Sequence, residues 1–262
     1  MIRLRALPLA AALAAGLSPW AAAGPIGSAV TLELCTGPGS LPLYPVPAAR
    51  GCRRAYAEAT RGAAYRIQVR NRLGCRVGLV IAVDGRNIIS GARSWLGNGE
   101  RMYVLEPGEA QVFTGWRTAQ DTVNRFYFTS VPDSYAGAFG DTSAMGVVAM
   151  AVYPECPPPA GPGACRAPRL DGAAPAPRAE EQARAKAASP SESAGTGFGE
   201  EVYSPSFTVS FQPAAEAREK CYIKYEWRET LVRLGVLRDP GQPGNRLWDT
   251  GYAPPPPGRG AN

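Results

Sequence analysis

Seven successive residues, Val77 to Val83 ("VGLVIAV"), carry no polar side chain, and the run stops at Asp84-Gly85. A helix usually needs at least about 10 residues, so a short β-branched run closed by a turn pair reads as a strand. With no polar face, it belongs in the middle of a sheet. Asp-Gly between two apolar runs marks a tight antiparallel hairpin, because Gly85 accepts positive φ at little steric cost. "NIISG" is then the returning strand. Asp84 takes the part of a turn residue whose carboxylate caps its own backbone.

The same texture continues on either side. "YRIQVRN" alternates, with Tyr65, Ile67 and Val69 on one face and Arg66, Gln68 and Arg70 on the other, as a half-buried strand does. "RMYVLEPGEAQVFTGW" reads as two strands about a Pro107-Gly108 turn, "VNRFYFTSV" as another strand, and "GVVAMAVYPE" as a second strand buried on both faces. Further on, Phe207, Val209 and Phe211 alternate with Ser206, Thr208 and Ser210, and "CYIKYEW" alternates likewise. "RETLVRLG" predicts a short helix closed by Gly235. The fold class is mainly β: an antiparallel β-sandwich with short helices and a long disordered linker before the final strands.

Composition divides the chain. Arg3 and Arg5, an apolar stretch and Ala21 to Ala23 make residues 1–23 a signal peptide, its apolar core too short and too interrupted to span a membrane. Residues 24–62 are a loop-rich, cysteine-containing segment with one possible strand at Ala29 to Leu34, and residues 63–156 are the sandwich core. Residues 157–199 hold almost no large apolar side chain and read as a Pro/Ala/Gly-rich linker. Residues 200–237 supply returning strands and a short helix that complete the sandwich, and residues 238–262 form a disordered tail. The expected destination is the periplasm or the medium, with no transmembrane segment.

Export agrees with the cysteines. Cys35, Cys52, Cys75, Cys156, Cys165 and Cys221 make an even set for an oxidising compartment. The favoured pairs are Cys35 with Cys52, Cys156 with Cys165, and Cys75 with Cys221. The chain has no His and no closely spaced cysteine pair, so zinc and other metal sites are not expected, nor is any cofactor. The net charge of +6 falls to +4 once Arg3 and Arg5 leave, and the remaining Arg are scattered. Nucleic acid is therefore not an expected partner.

The patterns "VDGRNIISG", "YVLEPGE", "GWR", "SYA" and "YEWRETL", with "GTGFGEE", resemble a group of uncharacterised exported bacterial proteins. The likeness covers Ala63 to Glu155 and about Gly195 to Gly235. It implies a single β domain with a linker inserted before its last strands, and it carries over no catalytic residue.

Chemistry without His rests on carboxylates, Lys, Tyr or Ser. Asp84, Glu106, Glu109, Asp121 and Asp133 are candidates for a glycosidase-like acid and base pair, but all five sit in turn sequences. Asp84 and Asn87 also offer oxygens to a sugar, although "DGRNIISGARSW" lacks the calcium-loop register. The large residues Trp95, Tyr103, Trp116, Tyr135 and Trp227 lie in or beside loops, and aromatics with Arg are what binding surfaces prefer. Trp116 with Arg117 is the strongest such pair, core packing being its alternative. The candidate binding set is thus Trp116, Arg117, Tyr135, Asp84 and Asn87. The function expected is a non-enzymatic binding or structural module of the cell envelope, its partner an envelope protein or glycan. A carboxylate-based hydrolase or a carbohydrate-binding domain is the alternative.

Overall fold

A computed structural model describes residues 22–156 and 193–238. The chain forms a β-sandwich. One sheet runs β3 (Leu43–Val46), β4 (Cys52–Ala59), β15 (Glu219–Trp227), β12 (Val147–Pro154), β6 (Val77–Val83), with the short strands β7 (Arg86–Asn87) and β8 (Tyr103–Leu105) both against β6. The other runs β10 (Gly115–Arg117), β11 (Thr122–Ser130), β5 (Ala64–Asn71), β1 (Val30–Thr36), β2 (Gly39–Ser40). In it β9 (Ala110–Phe113) lies on β5, while β13 (Ala194–Thr196) and β14 (Glu201–Tyr203) lie on β11. Among the described residues every strand pair is antiparallel except β4 with β15.

The unbroken apolar run of β6 has a direct cause. Val77, Leu79, Ile81 and Val83 enter the main core with Leu32, Ile67, Phe126, Val148, Met150 and Ile223. Val80 and Ala82 point the other way, into a second cluster with Leu96, Ala149, Ala151 and Tyr153. The segment carrying Leu96 thus covers the outer face of the sheet, and Tyr153 donates its hydroxyl to the Leu96 carbonyl. Each fully buried Leu, Ile or Val contributes about 1.5–3 kcal/mol by leaving water.

The hairpin after β6 is as predicted. Val83 pairs with Arg86, and the two loop residues, Asp84 and Gly85, have φ of 49° and 77°. Both central residues of a type I′ turn need this left-handed backbone. A side chain at Gly85 would put its Cβ 3.0 Å from that of Ala144. Gly85→Val should therefore cost about 2 kcal/mol or more through strained φ, measurable as a lowered urea midpoint with unchanged slope.

Several expectations are corrected. The 24–62 segment is no loop-rich lead-in: β1 pairs along its whole length with β5, and β4 pairs with β15. The linker's first part, residues 157–192, lies outside the described residues, as do the tail from 239 and the leader up to 21. Its last part, 193–199, belongs to the fold, because β13 adds to β11. The returning strand after Asp84-Gly85 stops at Asn87. The Pro107-Gly108 turn does not join paired strands: β8 lies on β6 and β9 on β5, so this turn carries the chain from one sheet to the other. "SFTVSF" is extended but belongs to neither sheet. The expected helix is α2 (Arg228–Arg233), closed at Gly235, whose φ is 72°.

The cysteine pairs are corrected too. Cys35 lies on β1 beside Ser40 and Gln68, whereas Cys52 opens β4 in the opposite sheet, and both are thiols. Cys221 is also a thiol, buried in the core, and burial pushes it up to about 12. Neither Cys35–Cys52 nor Cys75–Cys221 is formed. Cys165 lies outside the described residues, so the Cys156–Cys165 pair does as well.

Candidate functional site

At the end of the sandwich marked by the β6–β7 turn, Asp84 points inward and is fully buried. Its Oδ1 accepts from the Tyr225 hydroxyl at 2.6 Å and the Gly146 amide at 2.8 Å, and its Oδ2 from the Thr196 amide at 2.7 Å. The Thr196 hydroxyl lies 2.6 Å from the Tyr225 hydroxyl and 2.7 Å from that of Tyr65. The carboxylate ties β13, β15 and Gly146, just ahead of β12, to the β6–β7 turn, and the Thr196 hydroxyl brings in Tyr65 of β5. Asp84 is therefore not a self-capping turn residue.

Burial is the largest influence on the Asp84 carboxyl and pushes it up to about 6, against the Tyr225, Thr196 and Gly146 donors and the Lys224 charge, which pull it down. The folded state thus holds a proton that the unfolded chain releases above about 4. This contribution to stability is complete below about pH 4 and is lost as pH rises through about 6. Asp141, held down to about 2 by the Ser143 hydroxyl and then Arg93, acts in the opposite sense, its contribution lost only as pH falls through that value. Across the Asp84 window, wild-type stability relative to Asp84→Asn should fall from pH 4 to pH 7 by on the order of 2–3 kcal/mol. Urea unfolding of both proteins across that range measures it.

An aromatic wall stands on the same end. The short helix α1 (Tyr135–Ala138), its first turn capped by Ser134, sets Tyr135 against Trp116, with ring centroids 4.4 Å apart. Phe198 stacks on Tyr135 at 5.5 Å and Phe139 meets it edge-on at 5.1 Å. The Arg86 guanidinium lies 4.1 Å over the Phe139 ring. Trp116 is buried and donates Nε1 to the Gly197 carbonyl. Phe139 and Phe198 are 58% and 43% exposed.

The two features meet in residues 196–198. The Thr196 amide holds Asp84, the Gly197 carbonyl holds Trp116, and Phe198 supplies the wall. A Cβ at Gly197 would lie 2.1 Å from the Tyr127 ring. Sequence reasoning missed this stretch by reading "GTGFG" as linker. Its signal was the alternation of Gly with larger residues, which marks close backbone approach.

The remaining candidates do structural work. Asn87 is buried: its Nδ2 donates to the Arg101 carbonyl and to Glu100, while its Oδ1 accepts from the Ile89 and Ser90 amides. Arg117 donates to Tyr103 Oη, to the Ala119, Gln120 and Ser204 carbonyls and to Ser204 Oγ. It thereby pins one wall of a side groove of about 850 Å³ between β8, β9 and the 204–213 segment. The structure brings Trp116 and Tyr135 together, sets Asp84 behind them through Thr196-Gly197, and gives Asn87 and Arg117 to neighbouring loops. Of the other loop aromatics, Trp95 is 80% exposed, Tyr103 packs on Phe113, and Trp227 is buried under Arg61.

The five carboxylates have separate engagements. Glu106 pairs with Arg76, Glu109 accepts from the Glu106 amide, Asp121 from the Thr122 hydroxyl and Asp133 from the Ser130 hydroxyl. Among the described residues, no three His, Cys, Asp or Glu side chains gather as metal ligands, and no helix is long and apolar enough to cross a membrane. No family model, curated protein or solved structure matches the chain.

Proposed function

We propose that the protein is an exported, non-enzymatic binding module of the bacterial cell envelope, with the Tyr135–Phe139–Phe198 wall as its contact surface. The observation that carries this reading is the exposure of Phe139 and Phe198 on a backing that is itself buried and hydrogen-bonded. Rigid aromatic faces beside an Arg give contact area at low entropic cost, which suits a glycan ring or a protein anchor. The hydrolase alternative gains from the raised Asp84 carboxyl, since perturbed acids mark active sites. It loses more, because Asp84 has no exposure and both of its oxygens are occupied.

The test is retention of the purified protein on isolated cell-wall glycan and on envelope protein extract, beside the Phe139→Ala/Phe198→Ala double variant. Retention lost at least tenfold in a variant that melts within a few degrees of wild type is the expected result. Equal retention of both proteins, or of neither on any fraction, overturns the reading.

A further inference from the structure

We propose that residues 206–210, "SFTVS", form the pairing strand of a homodimer, each copy adding antiparallel to the other about a two-fold axis at Thr208. This goes beyond the binding reading and uses a different surface.

The segment has the sequence of a strand and no partner strand. Period-two alternation of apolar and hydroxyl residues is a strand signal, yet Phe207, Thr208 and Val209 make no backbone hydrogen bond among the described residues. Both ends are nevertheless held. The Ser206 amide donates to the Gln120 carbonyl and the Gln212 carbonyl accepts from the Cys156 amide. Phe211 is anchored where a Cβ on Gly78 would meet its ring at 2.6 Å. Between these points the chain has no turn or bend, with Phe207 82% and Val209 40% exposed. Exposed Val112 and Phe207 both line the groove.

Such an edge invites pairing. Proteins guard free edges with charge, with Pro or by covering them. Here no charged residue occurs from Tyr203 to Ala215, and Pro205 and Pro213 bound the segment without interrupting it. The sequence also selects the partner. Antiparallel pairing about Thr208 sets Ser206 against Ser210 and Phe207 against Val209, so hydroxyl meets hydroxyl on one face and apolar meets apolar on the other. A two-fold contact must be self-complementary in this way, and the charge at the segment's end, Arg76 on the Ser210 carbonyl, is already paired with Glu106 and Glu155.

The experiment is sedimentation velocity of the purified protein from about 5 µM to about 500 µM, a range suited to a small interface of micromolar to millimolar affinity. The Ser206 amide and Ser210 carbonyl are bonded within the molecule, so Phe207 and Val209 present the free ladder groups. Val209→Pro removes one of those amides, and Phe207→Ser removes the segment's largest exposed side chain. Neither residue holds a bond in the monomer, so both variants should melt as wild type does. The expected result is a monomer–dimer equilibrium weakened at least tenfold by each variant. A monomer throughout the range, or a dimer that neither variant weakens, overturns the proposal.

Discussion

Asp84→Ala should lose about 4 kcal/mol of stability, and the loss should begin at the segment that re-enters after residue 192. Removing the carboxylate leaves the Thr196 and Gly146 amides buried without an acceptor, at about 1–3 kcal/mol each. Tyr225 is spared the full penalty, because its hydroxyl can turn to Thr196 Oγ1, 2.6 Å away. Alanine also takes over a φ of 49°, a further cost of about 1 kcal/mol. The removed charge offsets part of this, since burial already works against the ionised form. Asp84→Asn should cost less: asparagine tolerates the left-handed turn, one oxygen still accepts, and only the donor opposite Nδ2 is lost. Hydrogen exchange at Thr196 and Gly146 in both variants locates the damage. Unchanged protection at Thr196 in Asp84→Ala would sink the claim that this carboxylate holds the re-entering strand.

The carboxylate shows where sequence reading reached its limit. Asp84-Gly85 named the hairpin and the positive φ at Gly85, because those follow from two adjacent residues and their apolar flanks. Nothing local says that the Asp84 side chain turns inward, since Thr196 is 112 positions away and Tyr225 is 141. The same distinction explains the amino-terminal error. Prolines at 38, 42, 45 and 47 break local periodicity, yet β4 is a strand because β15 lies beside it in parallel register. That pairing reaches across most of the chain. Conversely, residues 206–211 carry a clean local period and belong to neither sheet, so pattern alone does not make a sheet.

The motif residues also acquire a common cause. Tyr65, Asp84, Trp116, Tyr135, Thr196 and Tyr225 come from separate stretches, but they fill one end of the sandwich as a hydrogen-bonded layer beneath an aromatic one. The lower layer fixes residues 194–196 on β11, and residues 197 and 198 then fix the upper. Stability at the turn and geometry at the surface are therefore coupled through three consecutive residues.

That coupling is tested by Trp116, the residue most readily taken from the sequence for a surface contact. It is buried, packs edge-on against Phe126 at 5.3 Å, supports Tyr135, and donates to the Gly197 carbonyl. Trp116→Ala should cost about 4 kcal/mol, the usual range for emptying a buried indole site, and lower Tm by about 10 °C in a domain of this size. Trp116→Phe keeps a ring against Phe126 but leaves the Gly197 carbonyl without its donor, so about 2 kcal/mol should be lost. Phe139→Ala, at an exposed ring, should cost under about 1 kcal/mol. Trp116→Ala, then Trp116→Phe, then Phe139→Ala is the expected order of lost stability, whereas for partner retention corrected for folded fraction Phe139→Ala should lose more than Trp116→Phe: the first removes contact area directly, and the second preserves the outer rings. Thermal melts and retention assays on the same three variants decide it. A Trp116→Ala protein that melts as wild type does but retains no partner would make Trp116 a contact residue and refute its role as the support of the wall.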